Sequence, residues 1–119
     1  MMGNDELKFF DEQSNEEIVF NFYTFCEILK GCLVEFCNIS KEEANLAIEN
    51  SNLFKSPIQN VNDVYFFSHE HPYHWAMICY YGESYWEKNQ DLLTPPDSYD
   101  DWENSFLKEN DLKASVYNF

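Results

Sequence analysis

The chain contains no arginine, and its seven basic side chains, all lysines, stand against 22 aspartates and glutamates in 119 residues. The formal net charge is therefore -15 at pH 7. A field of that sign repels nucleic acid and anionic lipid and attracts basic surfaces. Arginine is also the side chain that best grips phosphates and carboxylates. The composition thus argues against phosphate chemistry and direct nucleic-acid binding, and it indicates a basic partner.

Long uninterrupted apolar runs are missing as well. The most apolar stretch, residues 18–37, is interrupted by Asn21, Glu27, Lys30 and Glu35. A membrane span needs about 20 consecutive apolar residues, so none is predicted. Residues 1–12 carry acids where a secretory signal peptide has a basic segment and then an apolar one. We therefore expect a cytoplasmic protein with no membrane contact.

The cysteines are few and poorly placed for disulfides. Cys26, Cys32 and Cys37 recur at near-helical spacing in the apolar stretch, and Cys79 lies far along the chain. This spacing does not suit the geometry of a disulfide between them. A nucleophilic thiol needs a nearby base or cation, usually at a helix end. Buried, reduced thiols without a catalytic role are therefore the prediction.

Aromatic residues, by contrast, are abundant and make up 18% of the chain. Acidic chains that stay disordered have few aromatic residues, so this content predicts a folded protein. The length suits one domain over residues 1–119, in which residues 1–13 are a candidate disordered arm.

Two sequence patterns predict helix starts. Residues 14–17 and 40–43 each place a serine three positions before a glutamate, which is the pattern of a capping box. After the first box, apolar residues recur every three or four positions, as on one face of a helix. Polar residues at 50–52 supply the stop of the second helix. A pair of helices is therefore expected in the first half of the chain.

Prolines mark the remaining boundaries. Pro72 predicts the first residue of a helix that continues through Trp86, because proline is favoured at that position. Residues 95–96 are both proline and predict a stop before a final helix that begins near residues 97–98. The short apolar run 64–67 fits either a helix or a strand.

These patterns predict a mainly α-helical, single-domain bundle of four to five helices. The alternative is an α+β fold with a short hairpin in residues 64–81, where the aromatic content also suits strands. The apolar residues at 114–119 are expected to dock onto the bundle. The predicted core consists of Phe22, Phe25, Leu29, Leu33, Phe36, Trp75, Ile78, Cys79 and Trp86.

His69, His71 and His74 form an H-x-H-x-x-H cluster around Glu70. Three imidazoles can hold zinc and leave a fourth position open. The spacing is not that of a closed zinc motif, however, and Pro72 places a helix start between the histidines. We predict no metal and no cofactor there, but a patch that gains positive charge below pH about 6.5.

Adjacent carboxylates offer no catalytic pair. The acids at 16–17, 42–43 and 100–101 are neighbours in sequence, and such neighbours diverge by about 100 degrees on a helix. They do not converge on one proton. No catalytic residue is therefore predicted, and an enzyme is the least favoured class.

The segment 83–111 combines nine acids and two lysines with interleaved tyrosines and tryptophans. One interpretation places these aromatic residues in the core and the acids on its solvated face. The other makes the segment an interface, in which an aromatic anchor is desolvated while carboxylates steer a basic partner. The candidate partner-binding residues are Asp97, Tyr99, Asp100, Asp101, Trp102 and Glu103.

In size, acidity and aromatic content the chain is similar to the small acidic immunity proteins of bacterial toxin systems. The resemblance implies a helical, non-enzymatic inhibitor that covers a basic toxin, such as a nuclease, with acids around aromatic anchors. The residues with matching chemistry are Asp97, Tyr99, Asp100, Asp101 and Trp102. The chain also looks like phage-encoded inhibitors whose carboxylates mimic DNA phosphates. A small regulatory or structural module, monomeric or homodimeric, is the remaining alternative.

Overall fold

The structure, a computed structural model, describes residues 5–51, 58–82, 85–87, 90 and 94–118. Within these ranges the strands are β1 (Leu7–Asp11), β2 (Glu16–Phe20) and β3 (Val116–Asn118). The α-helices are α1 (Phe22–Phe36), α2 (Lys41–Glu49), α3 (Val61–Ser68), α4 (Pro72–Tyr81) and α5 (Tyr99–Glu109), and a 3-10 turn covers Tyr85–Glu87. The predicted mainly α-helical class is confirmed. Over the same ranges, no helix has the length and apolar character that a membrane crossing requires.

The N-terminal hairpin corrects the predicted start of the first helix. β2 occupies the residues that follow Ser14, and it pairs antiparallel with β1 along its whole length. The turn between them is closed by Asn15, whose φ of 58° suits asparagine and whose N–H donates to the carbonyl of Asp11 at 2.8 Å. The last three residues of β2 are buried β-branched or aromatic side chains, which favour strands: Ile18, Val19 and Phe20. Residues 7–11 are likewise a paired strand and not a disordered arm.

The C-terminal segment completes the sheet. β3 pairs antiparallel with β2, so the strand order within the described residues is β1-β2-β3. The alternative hairpin in residues 64–81 is not formed, because that segment contains α3 and α4. α3 begins with a capping box in which the side chains of Asn60 and Asp63 accept from each other's backbone N–H groups. The helical option for residues 64–67 is therefore the correct one.

The other helix boundaries follow local signals. The Ser40 hydroxyl accepts from the backbone N–H of Glu43 at 3.1 Å, which confirms the predicted cap of α2. Pro72 is the first residue of α4, as predicted. The helix ends before Gly82, whose φ of 98° is not helical, so the predicted continuation through Trp86 is wrong. α5 starts directly after the predicted boundary.

The core is built around α1, which contacts α2, α4 and α5. Five predicted core residues are buried: Phe22, Phe25, Leu29, Leu33 and Trp75. Three are half-buried: Phe36, Ile78 and Cys79. The side chain of Trp86 lies outside the described part of the structure. β2 and α3 add the buried rings of Phe20 and Phe67, whose centroids lie 6.4 Å apart, so helix and sheet share one aromatic core.

Asn21 lies between β2 and α1, with only 2% of its surface exposed. Its Oδ1 accepts from the backbone N–H of Glu6 at 2.8 Å, and its Nδ2 donates to the carbonyl of Ala114 at 2.8 Å. Its own backbone N–H donates to the carbonyl of Ser115 at 2.7 Å. One buried amide therefore ties residues before β1 and before β3 to the start of α1. We call this group of contacts the Asn21 clasp.

Asp5 completes the clasp by capping α1. Asn21 makes no side-chain cap of the helix, but the Asp5 carboxylate accepts from both the backbone N–H and the hydroxyl of Thr24, each at 2.8 Å. An anion at the first turn also complements the helix dipole. A residue remote in sequence thus supplies the cap that a neighbouring residue usually provides.

Replacing Asn21 by Ala should lower the free energy of unfolding by about 2–4 kcal/mol, because two backbone groups lose partners worth about 1–3 kcal/mol each. Urea unfolding followed by circular dichroism measures the change. The matched control is Asn104→Ala, at an exposed position of α5, which should change stability by less than about 0.5 kcal/mol. Equal effects of the two substitutions would show that the clasp does not stabilise the fold.

Candidate partner-binding surface

The six candidate binding residues fall on three flanks of α5. Asp101 and Trp102 line one depression together with Glu35, and we call it the Trp102 depression. Asp97, Tyr99 and Asp100 line a second depression beside His71 and Pro96. Glu103 lines a third cavity, which includes Phe67 and Glu70 and is called the Glu103 cleft. The structure therefore does not bring all six residues to one face.

Tyr99 belongs to the core. Its side chain is 2% exposed, and its ring packs 5.9 Å from that of Phe36 and 5.4 Å from that of His71. Its hydroxyl donates to Oε1 of Glu103 at 2.7 Å. Burial, followed by the nearby Glu103 carboxylate, raises the pKa of the Tyr99 hydroxyl far above its usual range. Tyr99 is thus not a surface anchor, and its role is to hold Glu103 in place.

Trp102 is half-buried and has both a core side and a surface side. Its ring centroid lies 5.4 Å from that of Phe36 and 5.1 Å from that of Phe106. The same side chain lines the Trp102 depression and a larger groove between α1, α2 and α5. The indole therefore separates two concave regions and is accessible from both.

The larger groove, called the main groove, has a volume of about 580 Å³. Its apolar wall includes Tyr23, Val34, Trp102 and Phe106, and its rim carries the carboxylates Glu27, Glu35 and Glu49. Glu27 is held by the Tyr23 hydroxyl, which donates to it at 2.9 Å, and by Lys30 at 3.6 Å. Helical periodicity places Glu27 and Glu35 outside the apolar stripe of α1 but gives no sign that they lie beside α5.

The close approach of α5 to α1 depends on Gly31. A Cβ atom built at Gly31 would lie 2.5 Å from the Phe106 ring, closer than real atoms approach. Glycine lowers helix stability by about 1 kcal/mol relative to alanine, so its presence inside α1 has a packing reason. Gly31 lies outside the buried apolar stripe of α1, on the face that carries Val34, and a glycine at that position was the sequence signal for a neighbouring helix.

The surface around Trp102 is strongly acidic. In the described part of the chain, four carboxylates line the main groove and the Trp102 depression: Glu27, Glu35, Glu49 and Asp101. Two lysines, Lys30 and Lys41, line the same regions. Glu35 and Trp102 are shared by the main groove and the Trp102 depression. The arrangement is therefore an aromatic side chain set among carboxylates, as a basic partner would require.

The histidine cluster is spread over different contacts. His69 Nδ1 hydrogen-bonds to the carbonyl of Phe66, whereas a 3.0 Å hydrogen bond joins His74 Nδ1 to the Tyr85 hydroxyl. His71 packs against Tyr99. Burial lowers the pKa of His74. Among the residues with described positions, no three histidine, cysteine or acidic side chains are grouped so that they could hold a metal ion.

The four cysteines are free thiols. Cys26 and Cys32 are buried in α1, and burial raises the pKa of Cys26 to about 12 and that of Cys32 further. Cys37 and Cys79 are half-buried, with Cys79 Sγ 3.3 Å from the Ser51 hydroxyl. Burial also raises the pKa of both of these thiols. The chemistry of these groups is that of packed apolar side chains rather than of nucleophiles.

Comparisons of the chain with models of protein families, with curated protein sequences and with solved structures found no match. The proposed function therefore depends on the geometry and charge of the main groove and the Trp102 depression.

Replacing Gly31 by Ala should displace Phe106 and move the indole of Trp102. Overpacking costs about 1–3 kcal/mol, and the better helix propensity of alanine returns about 1 kcal/mol, so a net loss near 1 kcal/mol is expected. In a ¹H–¹⁵N NMR spectrum, the indole N–H of Trp102 should shift. The indole of Trp75, which donates to the Phe67 carbonyl at 2.7 Å, should stay in place and is the internal control. An unmoved Trp102 signal would contradict the proposed contact between α1 and α5.

Native-state alkylation should modify Cys37 and Cys79 before Cys26 and Cys32. At pH 8 a thiol with a pKa of about 12 is ionised in roughly one molecule in ten thousand. Brief treatment with iodoacetamide followed by peptide mass spectrometry measures the order, and the urea-unfolded protein is the control in which all four react alike. Rapid modification of Cys26 in the folded protein would show that α1 opens or that its buried face is assigned wrongly.

Proposed function

We propose that this protein is a non-enzymatic inhibitor that binds a basic protein through the surface around Trp102. The observation that carries the proposal is the position of Trp102, which lines two concave regions at once and is surrounded by carboxylates. Interface anchors are typically aromatic side chains in pockets that lose water on binding. Acidic groups around such an anchor favour a partner with lysine or arginine at its rim.

The net charge of -15 supports the same proposal through the rate of association. Long-range attraction between an acidic and a basic surface increases the rate of encounter, and salt weakens it. Once the complex has formed, the basic surface of the partner is covered and can no longer bind nucleic acid. The acidic surface of this chain repels phosphate, so nucleic acid does not bind there either. An enzyme that acts on nucleic acid has the basic surface that this mechanism needs.

An immunity protein against a bacterial toxin, acting in the cytoplasm, is the form of this function that the proposal favours. A toxin that degrades nucleic acid must be blocked tightly and quickly in the cell that makes it. Steered association supplies the speed, and a desolvated aromatic anchor supplies a slow dissociation rate. Within this proposal the surface requires no catalytic residue, cofactor or metal ion.

The decisive experiment compares two charge reversals that change the net charge equally. Asp101→Lys alters the Trp102 depression, whereas Glu12→Lys alters an exposed turn between β1 and β2. The partner is first isolated from the source lysate at low salt, and its association with each variant is measured by surface plasmon resonance across salt concentrations. Asp101→Lys should slow association roughly three- to tenfold and flatten its salt dependence, with a much smaller effect of Glu12→Lys.

Thermal melting of each variant is the control, since both must remain folded. Equal slowing by the two reversals would mean that charge acts globally and that the Trp102 surface is not the interface. Recovery of only acidic partners, or an association rate that does not respond to salt, would overturn the proposal.

A further inference from the structure

The floor of the main groove is an exposed face of α1. Four of its lining residues recur every three or four positions along that helix: Tyr23, Glu27, Lys30 and Val34. Tyr23 and Val34, at the two ends of this row, are 36% and 39% exposed. At a rise of 1.5 Å per residue the row is about 16 Å long. The floor is therefore a partly apolar helix face that extends for about three turns.

Two further helices form the sides of the groove. Each side is a row of three residues spaced four apart, at positions 102, 106 and 110 on α5 and at positions 41, 45 and 49 on α2. Phe36 packs against Trp102 and Gly31 lies against Phe106, so α5 and α1 run in opposite directions. Every residue that lines the groove is at least partly exposed. The aromatic rings at this site are therefore accessible to a ligand.

The shape of the groove suits a helix rather than an extended segment. A row of residues spaced four apart on one helix borders the furrow into which a ridge of another helix packs. The backbone groups in the body of a helix are already paired with one another. An extended segment laid against three helices would therefore bury backbone N–H and C=O groups without partners, whereas a helix pairs its own.

The charges along the groove indicate which kind of helix it accepts. Lys30 is paired with Glu27 at 3.6 Å, and Glu35 and Glu49 are exposed carboxylates at the rim. A second copy of this chain would bring another net charge of -15 to the surface, and the mutual repulsion opposes such a dimer. The complementary occupant is a helix that is apolar on one face and basic along its margins.

We propose that the main groove binds an amphipathic α-helix of the basic partner, which lies along α1 between α2 and α5. Apolar side chains spaced three or four residues apart on that helix contact the apolar wall of the groove, and lysine or arginine at its margins meets Glu35 and Glu49. The inference rests on the proposed function, because the helix belongs to the partner. It names the element of the partner that contacts Trp102.

Photo-crosslinking from the two ends of the groove tests both the site and the helical form. p-Benzoylphenylalanine replaces Tyr23 in one variant and Val34 in another, and each variant is irradiated with the partner isolated at low salt. Mass spectrometry identifies the partner residues that become attached. The two attachment sites should lie about 11 residues apart for a helix along α1, but only about five apart for an extended segment, because a strand rises about 3.3 Å per residue.

Leu46 is the matched control position for this experiment. It is 57% exposed on α2 but does not line the main groove, so p-benzoylphenylalanine at Leu46 should attach to no partner residue. Attachment sites about five residues apart would overturn the inference. Attachment to a second copy of this chain, or equal attachment from Leu46, would overturn it as well.

A charge-matched pair of variants measures the effect of the groove on binding. Val34→Arg and Leu46→Arg each place a cation at an exposed apolar position, and thermal melting checks that both remain folded. Val34→Arg should speed dissociation of the partner about tenfold, because it puts a positive charge where an apolar side chain of a basic helix docks. Leu46→Arg should change the dissociation rate less than about twofold. Equal effects would contradict the inference.

These outcomes can be told apart from those that test the proposed function. If neither Tyr23 nor Val34 positions attach to the partner but Asp101→Lys still slows association, the groove holds no helix and the Trp102 depression stands as the interface. If the attachment sites have the helical spacing but the two charge reversals act equally, the helix inference stands and steering by Asp101 is wrong. Recovery of no basic protein at low salt would overturn both.

Discussion

The buried amide of Asn21 is the contact on which the arrangement of the other elements depends. It joins the residue before β1, the start of α1 and the segment before β3 through hydrogen bonds of 2.7–2.8 Å. A buried amide without hydrogen-bond partners costs free energy, so loss of one of these segments would destabilise the contacts to the other two. Because Ala114 and Ser115 also line the Glu103 cleft, the same clasp positions one wall of that cavity. The stability of the fold and the shape of that cavity therefore depend on the same residue.

The packing of α1 against α5 determines which side chains lie together at the surface. The inner face of α1 supplies much of the core, and Gly31 lets Phe106 of α5 approach more closely than any larger residue would. The approach places Trp102 beside Glu35, so that residues from two helices form one acidic aromatic surface. Tyr99 performs a similar task on another flank, where its buried ring sets the position of Glu103. Core packing thus decides which carboxylates stand next to which aromatic side chains.

The charge of the chain has two opposite consequences. An excess of carboxylates lowers stability through mutual repulsion, and a dense core of aromatic residues offsets it by burying a large apolar area. The same excess of carboxylates favours a basic partner, both through long-range attraction before contact and through complementary charges in the complex. The proposed function is binding without catalysis, and it assigns no chemical role to the buried thiols or to the three histidines.

Local signals in the sequence determined the helix starts at Ser40 and Pro72, the mainly helical class and most of the inward-facing residues of α1. A cap or a proline acts through hydrogen bonds and steric limits within a few residues, so its effect is readable without the fold. The same reasoning failed at Ser14, where a capping pattern lies in the turn of a hairpin between β1 and β2, and where β2 also pairs with β3 from the far end of the chain. Tertiary structure alone decided that Tyr99 is buried while Trp102 is partly accessible, and that Glu35 lies beside Asp101. These outcomes depend on which surfaces meet when helices pack, and helical periodicity specifies a face without specifying its neighbour.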